Sequence, residues 1–121
     1  MAQSARIADY LESGLRAAGL RQAVIANNIA NMATPGFRRS TVPFEKTFAE
    51  ALAAGKPIDH KALIDRIIQP RTGALNEFRN DVQADTEIGN LIQNSMLYKT
   101  YVRLLNRTYR QMELAMASDG G

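Results

Sequence analysis

The sequence predicts an all-α fold in which two long terminal helices form a coiled-coil hairpin, with a short irregular middle segment that holds an extended piece and a short helix. Apolar residues recur in steps of three and four near both ends of the chain, the spacing of a helix–helix seam. The apolar share of 45% falls mainly on Ala, Leu, Ile and Met, and Trp is absent. With 121 residues we expect one domain over 1–121: an N-terminal helix over 4–31, a turn and irregular middle over 32–80, and a C-terminal helix over 81–117.

The N-terminal helix is predicted from a row of apolar residues that only Gln22 interrupts: Leu11, Leu15, Ala18, Ile25 and Ile29. The same helix contains Gly14 and Gly19, and each glycine costs about 1 kcal/mol relative to alanine inside a helix. Because its intrinsic propensity is poor, we expect this helix to depend on packing against a partner.

A strong stop signal follows the first helix at Thr34, Pro35, Gly36 and Phe37. Pro35 disfavours the α conformation at Thr34, and Gly36 can adopt the positive φ of a type II turn. These four residues are the predicted turn that redirects the chain.

Within the middle segment, residues 41–44 favour extended backbone, and a short helix is predicted from Glu45 to Ala54. Gly55-Lys56-Pro57 ends that helix. From Pro57 to Asn80 the pattern is irregular, with a helical turn or a short strand around 63–68 as alternatives.

The C-terminal helix has the strongest periodicity in the chain. The stripe, called the C-terminal stripe, consists of Ala84, Ile88, Leu91, Ser95, Tyr98, Val102, Leu105, Tyr109, Met112 and Met116. Asp81 is the predicted N-cap, and Asp85 and Glu87 lie near the positive end of the helix dipole.

A second set of apolar residues lies off both rows, and in a simple hairpin it would face water: Leu20, Val24, Ile92, Met96, Leu97, Leu104 and Leu114. Apolar residues on a second face usually indicate partners, and a single seam hardly offsets the ordering entropy of so small a chain. We therefore predict an assembly subunit, with the C-terminal stripe buried mainly between subunits. The predicted interface consists of Leu11, Leu15, Ile25, Asn27, Asn28, Ile29, Asn31, Ile88, Leu91, Tyr98, Val102, Leu105, Tyr109 and Met112.

Three amides stand near the end of the first helix, at Asn27, Asn28 and Asn31. Asparagine competes with the helix backbone for hydrogen bonds, so simple helix termination is one interpretation. An amide network between subunits, which would fix their register, is the other. The residues alone leave both open.

No constellation of side chains indicates catalysis, a cofactor or a metal. His60 is the single histidine and cysteine is absent, while the acidic residues that open the last helix are explained by capping and the helix dipole. Arg38 and Arg39 form one basic pair, which is normally a solvated loop rather than a nucleic-acid site. We expect no enzyme activity, no nucleic-acid binding, no membrane-spanning segment and no cleaved signal peptide.

The run L-R-Q-A-V-I-A-N-N-I-A-N from Leu20 to Asn31, followed by T-P-G-F-R from Thr34 to Arg38, resembles the N-terminal signature of the flagellar rod and hook axial proteins. The segments 94–98, 104–107 and 112–115 are similar to a proximal rod type. Asn80-Asp81-Val82 resembles the N-N-V that opens the last helix in that type. The S-R-A-Y-E-A-N-type segment typical of other rod and hook proteins is missing.

This resemblance implies a structural subunit of the bacterial flagellar basal-body (proximal) rod, assembling through its terminal helices into the axial drive shaft for motility. It also implies type III export without a cleaved signal, a periplasmic location, and terminal helices that are loose before assembly. The implied partners are further copies of the chain, the rod proteins FlgC and FlgF, the adaptor FliE, the MS ring and the export gate.

Two other functions remain as alternatives. Within the family, the chain could be the sister proximal rod protein FlgC, against which the missing segment argues. Outside the family, a small helical DNA-binding or regulatory dimer would be distinguished by salt-dependent binding to duplex DNA.

Overall fold

A computed structural model describes the backbone of residues 2–120 and the side chains of residues 6–118. It contains four helices: α1 (Ala2–Ala30), α2 (Phe44–Ala54), α3 (His60–Asp65) and α4 (Ala84–Gly120). Helices α1 and α4 pack against each other as an antiparallel hairpin, and α2 and α3 lie against α1. Within the described residues the β structure is limited to one antiparallel bridge between Thr41 and Ile68. The predicted all-α hairpin is confirmed.

The middle segment packs on one side of the hairpin. Helix α2 follows Pro43 and ends at Gly55, whose φ of 68° lets its N–H and that of Lys56 bond the last carbonyls. Where a helical turn or a short strand was predicted around 63–68, the structure has helix α3, which ends at Asp65, and Ile68 forms the β bridge. The Asp59 carboxylate caps α3 by accepting the N–H groups of Lys61 and Ala62.

The hydrophobic core joins this middle segment to the hairpin. It contains Ala17, Ala18, Val42, Phe44, Ile58, Leu63 and Tyr101. Phe44 stacks on Phe48 at 6.1 Å between ring centroids, and Tyr101 meets Phe44 edge-on at 6.3 Å. These three aromatic residues thus fasten α2 to α4.

The sides of α1 and α4 that meet are displaced from the predicted stripes. At every second stripe position, the residue in the seam is the one just before the predicted residue. In α1 the residues against α4 include Gly14, Arg21 and Asn28, each one position before the predicted Leu15, Gln22 and Ile29. In α4 they are Glu87, Asn94, Tyr101 and Thr108, and all four are buried. Ile88 and Tyr109 of the C-terminal stripe are instead exposed. The prediction missed this because the interior positions are polar or glycine, which apolar periodicity does not detect.

The second apolar set is only partly exposed. Leu20, Val24 and Leu97 were expected to face water, but they pack against the core, because the middle segment covers that side of the hairpin. The others are exposed as predicted: Ile92, Met96, Leu104 and Leu114.

The last helix begins three residues later than predicted, at Ala84, so the predicted N-cap role of Asp81 is wrong. The Asp81 carboxylate accepts the backbone N–H of Arg39 at 2.6 Å instead. The strong hydrogen bond to a distant segment replaces a local cap, and that long-range choice is invisible in the local sequence.

Candidate assembly surface

The lower end of the hairpin is closed by the buried amide of Asn28. Its Nδ2 donates to the Ser40 carbonyl at 2.9 Å and to Glu87 Oε2 at 3.3 Å, and its Oδ1 accepts the Ser40 N–H at 2.9 Å. This amide is therefore satisfied within the chain, and the predicted hydrogen bonds from Asn28 to another subunit are not what the structure shows. Asn27 is exposed, and Asn31 bonds back to its carbonyl at 2.8 Å.

Glu87 carries a fully buried carboxylate that needs compensation. Arg39 supplies it, because its Nε donates to Glu87 Oε1 at 2.6 Å. The main-chain N–H of the same arginine is held by Asp81. The segment just after the turn is thus fixed to both the start of α4 and the residues before it.

The turn after α1 is held by a second asparagine, Asn80, which is fully buried. Its Nδ2 donates to the carbonyls of Asn31 and Thr34, and its Oδ1 accepts the N–H of Val82. Gly36 has the positive φ expected of it, 75°, and donates its N–H to the Phe78 carbonyl at 2.8 Å. Pro35 is exposed and Phe37 half-buried, so the turn is fixed mainly through its backbone.

The middle of the seam is also polar. Asn94 is almost fully buried, and its Nδ2 donates to the Ala18 carbonyl at 2.8 Å and to Gln22 Oε1 at 2.7 Å. Its Oδ1 accepts from Arg21 Nε at 2.7 Å. The guanidinium of Arg21 then pairs with Glu45 at 2.8 Å and thereby reaches α2.

The upper part of the seam pairs a glycine with an aromatic ring. Tyr101 lies against Gly14 so closely that a Cβ there would be 2.7 Å from Cε1 of the ring. Further along, the Tyr109 hydroxyl donates to Glu12. That hydrogen bond raises the pKa of Tyr109, and burial raises the pKa of Tyr101.

Three contacts between α1 and α4 form layers that repeat every seven residues in both helices. They are Gly14 with Tyr101, Arg21 with Asn94, and Asn28 with Glu87. A shift of either helix by one turn would leave the buried amides of Asn28 and Asn94 and the carboxylate of Glu87 without their hydrogen-bond partners. The layers therefore specify one register of the hairpin.

The side of the hairpin opposite the middle segment is open. A groove of about 510 Å³, called the open groove, is lined by Gly19, Gln22, Ala23 and Ala26 of α1 and by Ser95, Tyr98 and Lys99 of α4. Of these residues only Lys99 carries a charge. Beside the groove, α4 exposes Ile88, Ile92 and Met96 by 47%, 57% and 65%. The groove and these three neighbouring side chains form one exposed, mostly apolar surface, the kind of surface that is typical of interaction sites.

The predicted interface residues fall into three groups. Buried within the chain are Ile25, Asn28 and Leu105; half-buried are Leu11, Leu15, Ile29, Asn31, Leu91, Val102 and Met112; exposed are Asn27, Ile88, Tyr98 and Tyr109. Part of the C-terminal stripe therefore closes the hairpin itself, and another part borders the open groove. The expectation that its burial occurs mainly between subunits does not describe Leu105, which α1 and the rest of the chain already cover.

Other chemistry is sparse in the described part of the chain. No group of three or more His, Asp or Glu side chains there has the arrangement of a metal site. None of the described helices combines the length and the hydropathy that crossing a bilayer requires. His60 lies in a shallow pocket with Asp9, Glu12 and Arg16.

The amino-acid sequence is similar to known proteins of one kind. Residues 9–38 match the family model described as "Flagella basal body rod protein". The chain is 29% identical to the flagellar basal body rod protein FlgB of Borrelia hermsii, with 80% of this chain and 85% of that protein covered. It is 25% identical to FlgB of Borreliella burgdorferi, covering 92% and 96%, and 26% identical to FlgB of Bacillus subtilis, covering 88% and 89%.

Proposed function

We propose that this chain, a FlgB-like flagellar basal-body rod protein, is a structural subunit of the proximal rod that joins its neighbours through the open side of the α1–α4 hairpin. The observation that carries the function is the similarity to FlgB proteins along most of the chain, from the first helix to the last. The sister protein FlgC is the less favoured assignment, since all the matched relatives named above are FlgB.

The structure supports the second half of the proposal, that the hairpin assembles laterally. The buried amides and carboxylate of its polar layers already form hydrogen bonds within the chain, so these groups are not available to neighbours. The open groove and the exposed apolar residues beside it remain. Burial of one such residue contributes about 1.5 to 3 kcal/mol, so this surface can supply much of an assembly contact.

As a rod subunit the chain assembles with other flagellar proteins. We propose that these are further copies of itself, FlgC, FlgF, the adaptor FliE, the MS ring and the export gate. We also propose a periplasmic position, reached by type III export without a cleaved signal. The chain acts by holding its neighbours in place and needs no enzyme activity or cofactor for it.

The alternative outside the family, a DNA-binding dimer, also loses support. A DNA-binding dimer would need the basic pair after the turn, but Arg39 is already engaged with Glu87. A nucleic-acid role therefore has only Arg38 at this place. Binding to duplex DNA at physiological salt would be the measurement in its favour.

The function is tested by deleting the gene in frame and restoring it on a plasmid. We expect the deletion strain to lose swimming in soft agar and to lack rods in isolated basal bodies, and the restored strain to regain both. The chain should be detected in the purified basal bodies by immunoblot. Normal swimming of the deletion strain, or absence of the chain from basal bodies, would contradict the proposal.

A further inference from the structure

We infer that the occupant of the open groove is the C-terminal helix of a second copy of this chain, which inserts the ridge formed by Ile88, Ile92 and Met96. The inference rests on the proposed rod function and names the partner of that same surface. It treats the groove and the ridge as the two halves of one repeated contact.

The groove is shaped to receive a helix. On α1 its wall consists of Gly19, Ala23 and Ala26, whose side chains are a hydrogen atom or a methyl group and lie on one line of the helix. Small residues allow another helix backbone to approach closely. The ring of Tyr98 lies next to Gly19 across the groove, because its Cε2 is 3.7 Å from the position that a Cβ of Gly19 would take.

The ridge has the matching properties. Ile88, Ile92 and Met96 follow one another in steps of four, which is the ridge that packs into the groove of a facing helix. All three are exposed, and from Ile88 through Tyr98 the chain carries no charged residue. Depletion of charge is the compositional mark of the centre of an interface.

The ridge and the groove are different surfaces of the same chain, so the contact between two copies is head-to-tail. Such a contact repeats from copy to copy as an open helical array, or as a ring where the rotation closes, and all copies run in the same direction. In that array α4 of one copy runs antiparallel to α1 of the next, as it does to α1 of its own chain.

Charge supports this direction. Glu12 lies on the same line of α1 as Gly19 and Ala26, at the N-terminal end of the groove. When the helices run antiparallel with Met96 beside Ala23, Arg107 comes to the level of this carboxylate. Arg107 is exposed and takes part in none of the ion pairs found among the described residues. A parallel arrangement would direct Asp85 toward Glu12 instead.

The contact can be tested by cross-linking, because the chain has no cysteine of its own. A chain carrying both Ala23→Cys and Met96→Cys would be produced in the deletion strain, and isolated basal bodies would be oxidised and separated without reductant. We expect a ladder of dimers and larger species. Chains with either substitution alone should remain monomers. The matched control combines Ala23→Cys with Gln93→Cys, since Gln93 lies close to the ridge but faces the cleft lined by Arg39 and Thr41. For this control we expect at least about tenfold less cross-linked product.

Each outcome decides the inference. A double-cysteine chain that supports swimming and enters basal bodies but gives no ladder would overturn the copy-to-copy contact and leave the rod function intact. Cross-linked dimers from one of the single variants would indicate a symmetric contact and would also overturn it.

A second pair of variants does not depend on thiols. Met96→Glu should reduce incorporation into basal bodies by about tenfold or more, whereas Gln93→Glu, with the same added charge, should leave it within about twofold. Both purified chains should keep the melting temperature of the original chain, because both side chains are exposed. Normal incorporation of the Met96→Glu chain would refute the inference.

Discussion

The closest approach in the hairpin predicts opposite effects for two apparently equivalent substitutions in α1. Gly14 and Gly19 both lie inside the helix, and replacing either with alanine should improve its propensity by about 1 kcal/mol. At Gly14, however, the new Cβ would be 2.7 Å from Cε1 and 2.8 Å from Cζ of Tyr101. At Gly19 the nearest atom would be Tyr98 Cε2 at 3.7 Å, which is ordinary contact.

The ring of Tyr101 cannot move away cheaply. Tyr101 is 8% exposed and packs edge-on against Phe44 and Phe48, with centroid distances of 6.3 and 6.5 Å. Overpacking of this kind costs about 1 to 3 kcal/mol. After the gain in propensity, Gly14→Ala should destabilise the chain by about 1 kcal/mol, and Gly19→Ala should stabilise it by about the same amount. The difference of about 2 kcal/mol corresponds to about 8 °C in melting temperature.

Thermal and urea unfolding of the purified chain, followed by circular dichroism, measures both changes. Tyr101→Leu provides the control, because leucine lacks the distal ring atoms that the new Cβ would meet. In that background Gly14→Ala should become neutral or stabilising. If Gly14→Ala raised the stability of the original chain as much as Gly19→Ala does, or if Tyr101→Leu failed to reverse its effect, the assigned register of the seam would be wrong.

Three further predictions concern the ends of the seam and its pH dependence. Arg39→Met should lower the free energy of unfolding by about 3 kcal/mol in urea titrations, because it leaves the buried Glu87 carboxylate without its cation, while Arg38→Met should change it by less than about 0.5 kcal/mol. Burial raises the pKa of Tyr101, so the stability that its neutral hydroxyl provides is complete below the ordinary pKa of about 10 and is lost as the pH rises through the raised value. Tyr101→Phe should therefore reduce the loss of stability at alkaline pH. The measurement is the denaturation midpoint from about pH 9 to 11. Gly36→Val should lower the melting temperature through a strain of about 1 to 2 kcal/mol at its positive φ, whereas Gly36→Asn should retain most of the stability, and equal melting temperatures for the two variants would contradict that assignment.

The sequence predicted the helices and the turn well because their signals are local. Gly36 and Gly55 both have the positive φ that glycine accommodates, and the predicted short helix from Glu45 to Ala54 differs from α2 only in its first residue. Asp59 is also a local signal for α3, since aspartate is among the residues preferred as N-caps.

The interior of the seam was harder to predict. Asn28, Glu87 and Asn94 are buried, although hydropathy assigns such residues to the surface, and each is satisfied by partners outside its own helix. A usable signal did exist, because Glu87, Asn94 and Tyr101 recur every seven residues. The predicted stripe followed Ile88, Ser95 and Val102 instead, and of these Ser95 lines the open groove.

The seam also determines when the chain can complete its fold. Its hydrogen bonds join residues 59 to 97 positions apart, whereas the bond that docks Ser40 on Asn28 spans only 12 positions. Short loops close at a lower entropic cost and much sooner than long ones. The segment after the turn can therefore dock on α1 early, while the side of α1 that packs against α4 stays uncovered until α4 is present. If the chain passes N-terminus first through a narrow channel, the hairpin cannot form until α4 has also passed through. The chain would then stay unfolded enough for passage without a separate factor that keeps it unfolded.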